Sequence, residues 1–166
     1  MKKIVIATLC VLLAVASTSC KKEKRPDGMP DIYPCSLKIV QDSAPLADAQ
    51  VSIVSSDPQI MRFPCGGNTD ANGIVELKTM GFKGAPAGSF KVVVSKIEAT
   101  NRPSSYEEAQ QLQEQGAKEE SFDLVDRKYA DASTTPLSIE VQKSNSAPIE
   151  LDVGEAVRIS REDLMR

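Results

Sequence analysis

Apolar residues in the middle of this chain return at every second position, and that period is what most narrows the folds open to it. Leu37 and Ile39, then Val51 and Ile53, alternate with polar neighbours, as strands do when one face is buried and the other wet. From Ser89 to Ile97, Phe90, Val92 and Val94 share one face while Val93 helps fill the other, the pattern of a central strand. Ile60-Met61-Arg62-Phe63 reads as a short strand, ended by Pro64 and the Gly66-Gly67 pair. Ile74, Val75 and Leu77 begin the next. Strand patterns resume at Leu137 to Val141 and at Ile149 to Val153, separated by the polar turn Ser144-Asn145-Ser146. The last dozen residues suit a trailing strand or a loose tail.

The punctuation between these runs is that of tight turns. Asp42-Ser43-Ala44-Pro45 separates the first two strands. Asp70-Ala71-Asn72-Gly73 is the strongest turn, because Asp70 and Asn72 can cap it through short side chains and Asn-Gly tolerates positive φ. Ala85-Pro86-Ala87-Gly88 gives a second, with Pro86 and Gly88 as its structural residues. The period breaks once. Glu107 and Glu108 stand three residues after Ser104 and Ser105, the capping-box spacing. Helix formers then run to Gln115, and Gly116 supplies a stop. With only Tyr106, Ala109 and Leu112 as apolar residues of note, this helix is expected on the surface. Six or seven strands, one helix and no βα alternation predict an all-β fold, a β-sandwich of about seven strands with a short helical insertion near 104–115.

The N-terminus has a different character. Met1-Lys2-Lys3 is positive, Ile4 to Ala16 is uncharged and mostly apolar, and Ser17-Thr18-Ser19 places small residues directly before Cys20. The run is shorter than the ~20 residues that span a bilayer core, so it reads as an export signal rather than a membrane helix. Small residues before a cysteine resemble a bacterial lipobox, with Ser17 where leucine usually stands. That resemblance implies cleavage before Cys20 and lipidation of its thiol. Secretion with cleavage near Ala16 and an uncleaved anchor are the alternatives. Several acyl chains, at roughly 0.8 kcal/mol per buried CH2, would hold the chain lastingly to a membrane. The expected organisation is a signal peptide over 1–19, a lipid-anchored flexible tether over 20–34, a β-sandwich domain over 35–160 and a C-terminal tail over 161–166. The tether carries Lys21, Lys22, Lys24 and Arg25, which would face lipid headgroups, and is broken by Pro26, Gly28, Pro30 and Pro34.

Of four cysteines, Cys10 leaves with the signal and Cys20 is taken by lipid, so Cys35 and Cys65 remain. In an oxidising compartment the two are a candidate disulfide, which would add roughly 2–4 kcal/mol. Two independent buried thiols are the alternative. The chain carries 20 Lys+Arg against 23 Asp+Glu, and removal of Lys2 and Lys3 makes the mature part more acidic still, which argues against a nucleic-acid partner. There is no histidine, so the commonest general base near neutral pH is missing, and with it Ser-His-Asp and Cys-His arrangements. No metal is expected, and no cofactor. A calcium site using Asp70, Asn72 and Asp123 or Asp131 is the one alternative raised, against which no ligand spacing is recognisable. The pair Asp123 and Asp126 could act as acid and base only in a shared cleft, and a solvated face is the expectation.

Three segments together resemble a known family. Pro45-Leu46-Ala47-Asp48-Ala49-Gln50-Val51, Thr69-Asp70-Ala71-Asn72-Gly73 and Pro86-Ala87-Gly88-Ser89-Phe90-Lys91-Val92 are similar to the rhythm of carboxypeptidase-regulatory-like or transthyretin-like domains, particularly those of short exported bacterial lipoproteins. Arg127-Lys128-Tyr129-Ala130-Asp131 and Thr134-Thr135-Pro136-Leu137 are similar to a later segment of the same proteins. The resemblance covers residues 36–153 and implies a transthyretin-like sandwich. It does not carry over purine-pathway hydrolase activity, which needs histidines and a C-terminal tetrapeptide that this chain lacks. The expectation is a non-enzymatic, membrane-anchored protein of the bacterial cell envelope with a structural or protein-interaction role. Binding of glycan or envelope polysaccharide is the alternative, for which only Tyr33, Tyr106, Tyr129 and four Phe could stack on a sugar. A small-subunit or maturation-helper role in a larger exported complex is the third.

Overall fold

The computed structural model describes residues 24–144 and 147–162. Residues 1–23, which include the expected leader, Cys20 and Lys21 and Lys22 of the basic cluster, lie outside the described residues, as do Asn145, Ser146 and residues 163–166. Along the described chain run β1 (Ile32–Tyr33), β2 (Ser36–Gln41), β3 (Ala44–Pro45), β4 (Gln50–Val54), α1 (Pro58–Met61), β5 (Cys65–Asn68), β6 (Ile74–Glu76), β7 (Lys78–Thr79), β8 (Phe82–Lys83), β9 (Ala85–Pro86) and β10 (Gly88–Ser95). There follow β11 (Ile97–Thr100), α2 (Tyr106–Glu114), β12 (Glu120–Asp123), a 3-10 turn over Arg127–Tyr129, β13 (Ser138–Val141), β14 (Ile149–Asp152) and β15 (Ile159–Ser160). The fold is all-β, with its strands in several sheets.

The largest sheet has six strands in the order β13-β10-β4-β5-β7-β8. β10 lies between β4 and β13, antiparallel to both, the central position its sequence predicts. Phe90, Val92 and Val94 are buried, with Val93 half-buried. A second sheet is built on β2, which pairs antiparallel with β3 and β6 and parallel with β14. Leu37 and Ile39 of β2 are completely buried. They share one core with Val51, Val75, Leu77, Val92, Val94, Val141 and Val153. The six-stranded sheet and the β2 sheet therefore bury their apolar faces in common. A third ladder, β11-β12-β15, gives the C-terminal residues a strand partner at Ile159–Ser160.

Three sequence expectations need correction. Ile60-Met61-Arg62-Phe63 is not a strand; Pro58–Met61 forms α1. Asp57 accepts a hydrogen bond from the Gln59 N–H at 2.9 Å and Pro58 occupies the first turn, where a missing N–H and a fixed φ favour a helix start. Nor does Gly66-Gly67 end a strand, since both residues lie inside β5. A Cβ on Gly66 would stand 2.4 Å from the Val51 carbonyl oxygen, and one on Gly67 2.8 Å from Val75 Cγ2. β5 is wedged between β4 and β6, and two glycines permit that approach. Finally, Pro86 is not at an open turn. It is fully buried in β9, whose partner is β1, so strand structure begins at Ile32–Tyr33, inside the stretch read as tether.

The helical insertion falls where its capping signal places it, with the box divided between two serines. The Ser105 hydroxyl accepts from the Glu108 N–H at 3.2 Å, while the Glu108 carboxylate accepts from the Ser104 N–H at 2.8 Å and from the Ser104 hydroxyl. These two bonds hold the Glu108 pKa below its usual value. No residue of α2 is buried.

The β2–β3 hairpin shows its turn chemistry directly. Gln41 and Ala44 pair across Asp42 and Ser43, which both have positive φ, 49° and 63°, the backbone of a two-residue primed turn. Ser43 is exposed and not a residue type that adopts this conformation cheaply. Ser43→Gly is expected to stabilise the domain by about 0.5–1 kcal/mol, read as a higher urea midpoint at an unchanged slope. Asp42 should stay, because its carboxylate accepts from the Ala156 N–H at 3.0 Å.

Candidate functional site

The residues singled out by the sequence fall in three places. Cys20, the residue expected to carry lipid, lies outside the described residues. Lys24 and Arg25, at the first described positions, are exposed, and the Met29 N–H closes a turn onto the Pro26 carbonyl. Tyr33 and Ile32 then pair with Ala85 and Pro86. The chain thus enters the domain through a two-residue ladder, immediately before Cys35. Among the described residues no helix is long and apolar enough to cross a membrane.

The second place is around the cysteines. Cys35 and Cys65 are both buried, and no disulfide joins them. They belong to the same core cluster and approach the segment Leu77–Thr79 from its two sheets. The Leu77 N–H donates to the Cys35 carbonyl at 3.0 Å, continuing the β2–β6 ladder. Cys65 is in register with Thr79 in the β5–β7 ladder. The Cys65 thiol lies 3.9 Å from the Gly84 carbonyl oxygen, which also accepts the Thr79 hydroxyl at 2.7 Å. Burial pushes the Cys65 pKa up, the hydrogen bond with Thr79 opposes the rise, and the charge of Cys35 adds to it. A cavity of about 230 Å³ opens beside Cys35, Leu77 and Gly84. Glu76 and Lys83, which also line it, form an exposed ion pair at 3.3 Å.

The third place is the turn at Asp70–Gly73. The Asp70 carboxylate accepts from the Asn72 and Ile74 N–H groups at 2.9 and 2.8 Å, and the Gly73 N–H returns to the Asp70 carbonyl. Asp70 caps the turn, as expected, and Gly73 has the positive φ, 72°. Asn72 is exposed and Gly73 buried. The carboxylates raised as calcium partners are held apart by other work. Asp123 pairs with Arg127 at 3.1 Å and Arg161 at 3.4 Å. Asp131 accepts from the Ser133 hydroxyl and N–H, at 2.6 and 2.7 Å, which lowers its pKa. Among the described residues no three His, Cys, Asp or Glu side chains come together as a metal site. Asp126 caps the 3-10 turn through the Lys128 N–H and pairs with the Lys128 ammonium at 3.6 Å.

Buried threonines are what the sequence reading passed over. The Thr69 hydroxyl donates to the Leu46 carbonyl at 2.7 Å and accepts from the Ala49 N–H at 2.8 Å. Thr135 donates to the Val92 carbonyl at 2.8 Å and accepts from the Leu137 N–H at 3.2 Å. Each satisfies backbone groups that no strand partner reaches, as buried polar atoms require. A signal existed, since Thr69 and Thr135 stand in two of the quoted motifs. Gln41 does similar work through its amide, which donates to the Leu124 carbonyl at 2.9 Å.

The aromatic rings bear on ligand binding. Phe63, Phe90 and Tyr129 are buried, and Tyr33, Phe82 and Phe122 half-buried. Arg158 stacks over the Phe122 ring at 3.8 Å from its centre. Tyr106, on α2, is exposed. The face of β4, β5 and β7 carries a shallow groove of about 390 Å³, over the Gly66-Gly67 backbone, with Gln50, Ser52, Asn68 and Lys78 along it. Compared with known proteins, the chain matches no family model, no curated protein and no solved structure.

Proposed function

We propose that the chain is an exported bacterial lipoprotein, anchored through Cys20, whose transthyretin-like β-sandwich serves as a non-enzymatic structural or protein-interaction module of the cell envelope. The observation that carries the reading is where chemistry-bearing side chains are used. Asp70, Asp123, Asp126 and Asp131 cap turns or pair with arginines, and the buried hydroxyls of Thr69 and Thr135 hold backbone. Two opposed sheets over one core agree with the sandwich expected from the motifs. The leader, the basic flank and the proline-broken tether are sequence features that support anchoring.

Envelope polysaccharide binding is the second reading, and the groove over Gly66-Gly67 favours it through Gln50, Ser52, Asn68 and Lys78 along it. The rings count against it. A sugar platform needs exposed aromatic faces, and Tyr106 is the exposed ring among seven.

Two measurements test the proposal. Cys20→Ala is expected to move the protein from the membrane pellet to the soluble envelope fraction, since the lipid is the anchor. A variant that pellets as fully as its parent would refute anchoring at Cys20. Sedimentation with purified envelope polysaccharide is expected to leave the protein in the supernatant. Salt-resistant co-sedimentation that is lost on Lys78→Ala would transfer the assignment to the glycan reading.

A further inference from the structure

We propose that Cys35 and Cys65 are a dithiol site that a disulfide-bearing donor oxidises in the folded domain, and that the bond so formed staples the two sheets where one segment passes between them. The segment from Ile74 to Thr79 pairs with β2 through β6 and with β5 through β7. It belongs to one sheet at its start and to the other at its end. Cys35 is bonded through its backbone to Leu77, on the first side. Cys65 is opposite Thr79, on the second. Leu77 and Thr79 are two positions apart and both buried, and the cysteines registered with them belong to the same core cluster. The electrostatic effect of Cys35 on Cys65 is a second sign of their nearness.

The chemistry is thiol–disulfide exchange. Cys35 lines the 230 Å³ cavity beside Gly84, the side from which a donor would approach. Approached from this cavity, Cys35 is the first nucleophile. Its thiolate attacks one donor sulfur, the donor's other half leaves as a thiolate, and a mixed disulfide results. Cys65, on losing its proton, attacks the Cys35 sulfur and expels the second half. The two protein thiols give up two protons and two electrons, and the donor departs as two thiols. The step is a property of the folded domain and holds whether or not Cys20 is lipidated.

The test uses the full-length chain in detergent, reduced, freed of reductant and incubated with oxidised glutathione under native conditions. Alkylation in denaturant and peptide mapping follow. The expected result is a loss of two hydrogens with the Cys35 and Cys65 peptides joined. Reduction should then lower the melting midpoint by about 10 °C, and a Cys35→Ser/Cys65→Ser variant should show no response to reductant. Two alkylated thiols after incubation, or a lasting glutathione adduct on either cysteine, would overturn the site. A joined pair whose reduction leaves the midpoint unmoved would overturn the staple. None of these outcomes depends on membrane fractionation, so failure here is distinguishable from failure of the anchor.

Discussion

Leu37→Ala should be among the most damaging single truncations of this domain, costing about 3–4 kcal/mol in urea unfolding. Leu37 is fully buried near the start of β2. It has Val75 of β6 opposite it on one side and Ile149 of β14 on the other. Loss of the side chain removes its transfer free energy and leaves a void that hydrogen-bonded strands on both flanks cannot close by moving in. Domains of this size have only about 5–15 kcal/mol in total, so the variant should unfold at a much lower denaturant concentration. Lys38→Ala makes the comparison. Its ion pair with Glu150, at 2.8 Å, is between two exposed side chains, and such pairs contribute about 0–1 kcal/mol. Equal effects of the two substitutions would show that β2 is not the centre of the core.

Gly73→Ala is the second, at about 2–4 kcal/mol, although it adds only one carbon. Part of the cost is conformational, because φ at Gly73 is +72° and an L-residue there loses about 1–2 kcal/mol. The rest is steric. The added Cβ would lie 2.5 Å from the Ile39 carbonyl oxygen and 3.0 Å from the Leu46 nitrogen. Those two atoms form a hydrogen bond of 2.9 Å, and the Ile39 N–H donates to the Gly73 carbonyl at 2.8 Å. The substitution therefore pushes apart three segments at once. Asn72→Ala, one residue earlier and exposed, should stay within about 0.5 kcal/mol of the parent. If both variants unfolded at the parent's midpoint, the close approach of this turn to β2 would be wrong.

The contrast between these neighbours shows what kind of information the sequence carried. Asp70-Ala71-Asn72-Gly73 was legible as a turn because its residues act on their own backbone. The same is true of Ser105 and Glu108 at the start of α2. Alternation located β2, β4, β10, β13 and β14, since a half-buried strand writes its two faces into successive residues. Gly66-Gly67 was misread because its reason lies in other strands: the glycines answer to Val51 and Val75 rather than to the local chain. Pro86 was misread likewise. It looks like turn punctuation, yet it is buried against the chain that enters the domain. The short run Ile60–Phe63 offered only four residues, too few to separate a strand from a helical turn, and Asp57-Pro58 was the overlooked signal. Of the candidate site, the nearness of Cys35 and Cys65 could be raised only by counting. Their approach to one segment from two sheets is a matter of topology, which spacing alone does not contain.

The ladder between β1 and β9 has a mechanical meaning. A pull on the chain from its N-terminal side reaches the domain first at Ile32–Tyr33, where two residue pairs bear it. Behind them stands β2, held along its length by β14 on one edge and by β3 and β6 on the other. The weak clip should give way long before the strong one. If the chain is fastened at Cys20, the segment up to Ile32 can extend to about 40 Å, and opening the clip adds roughly 7 Å more. The domain would then hang on a leash with a built-in slack, releasing length under load while its core stays closed.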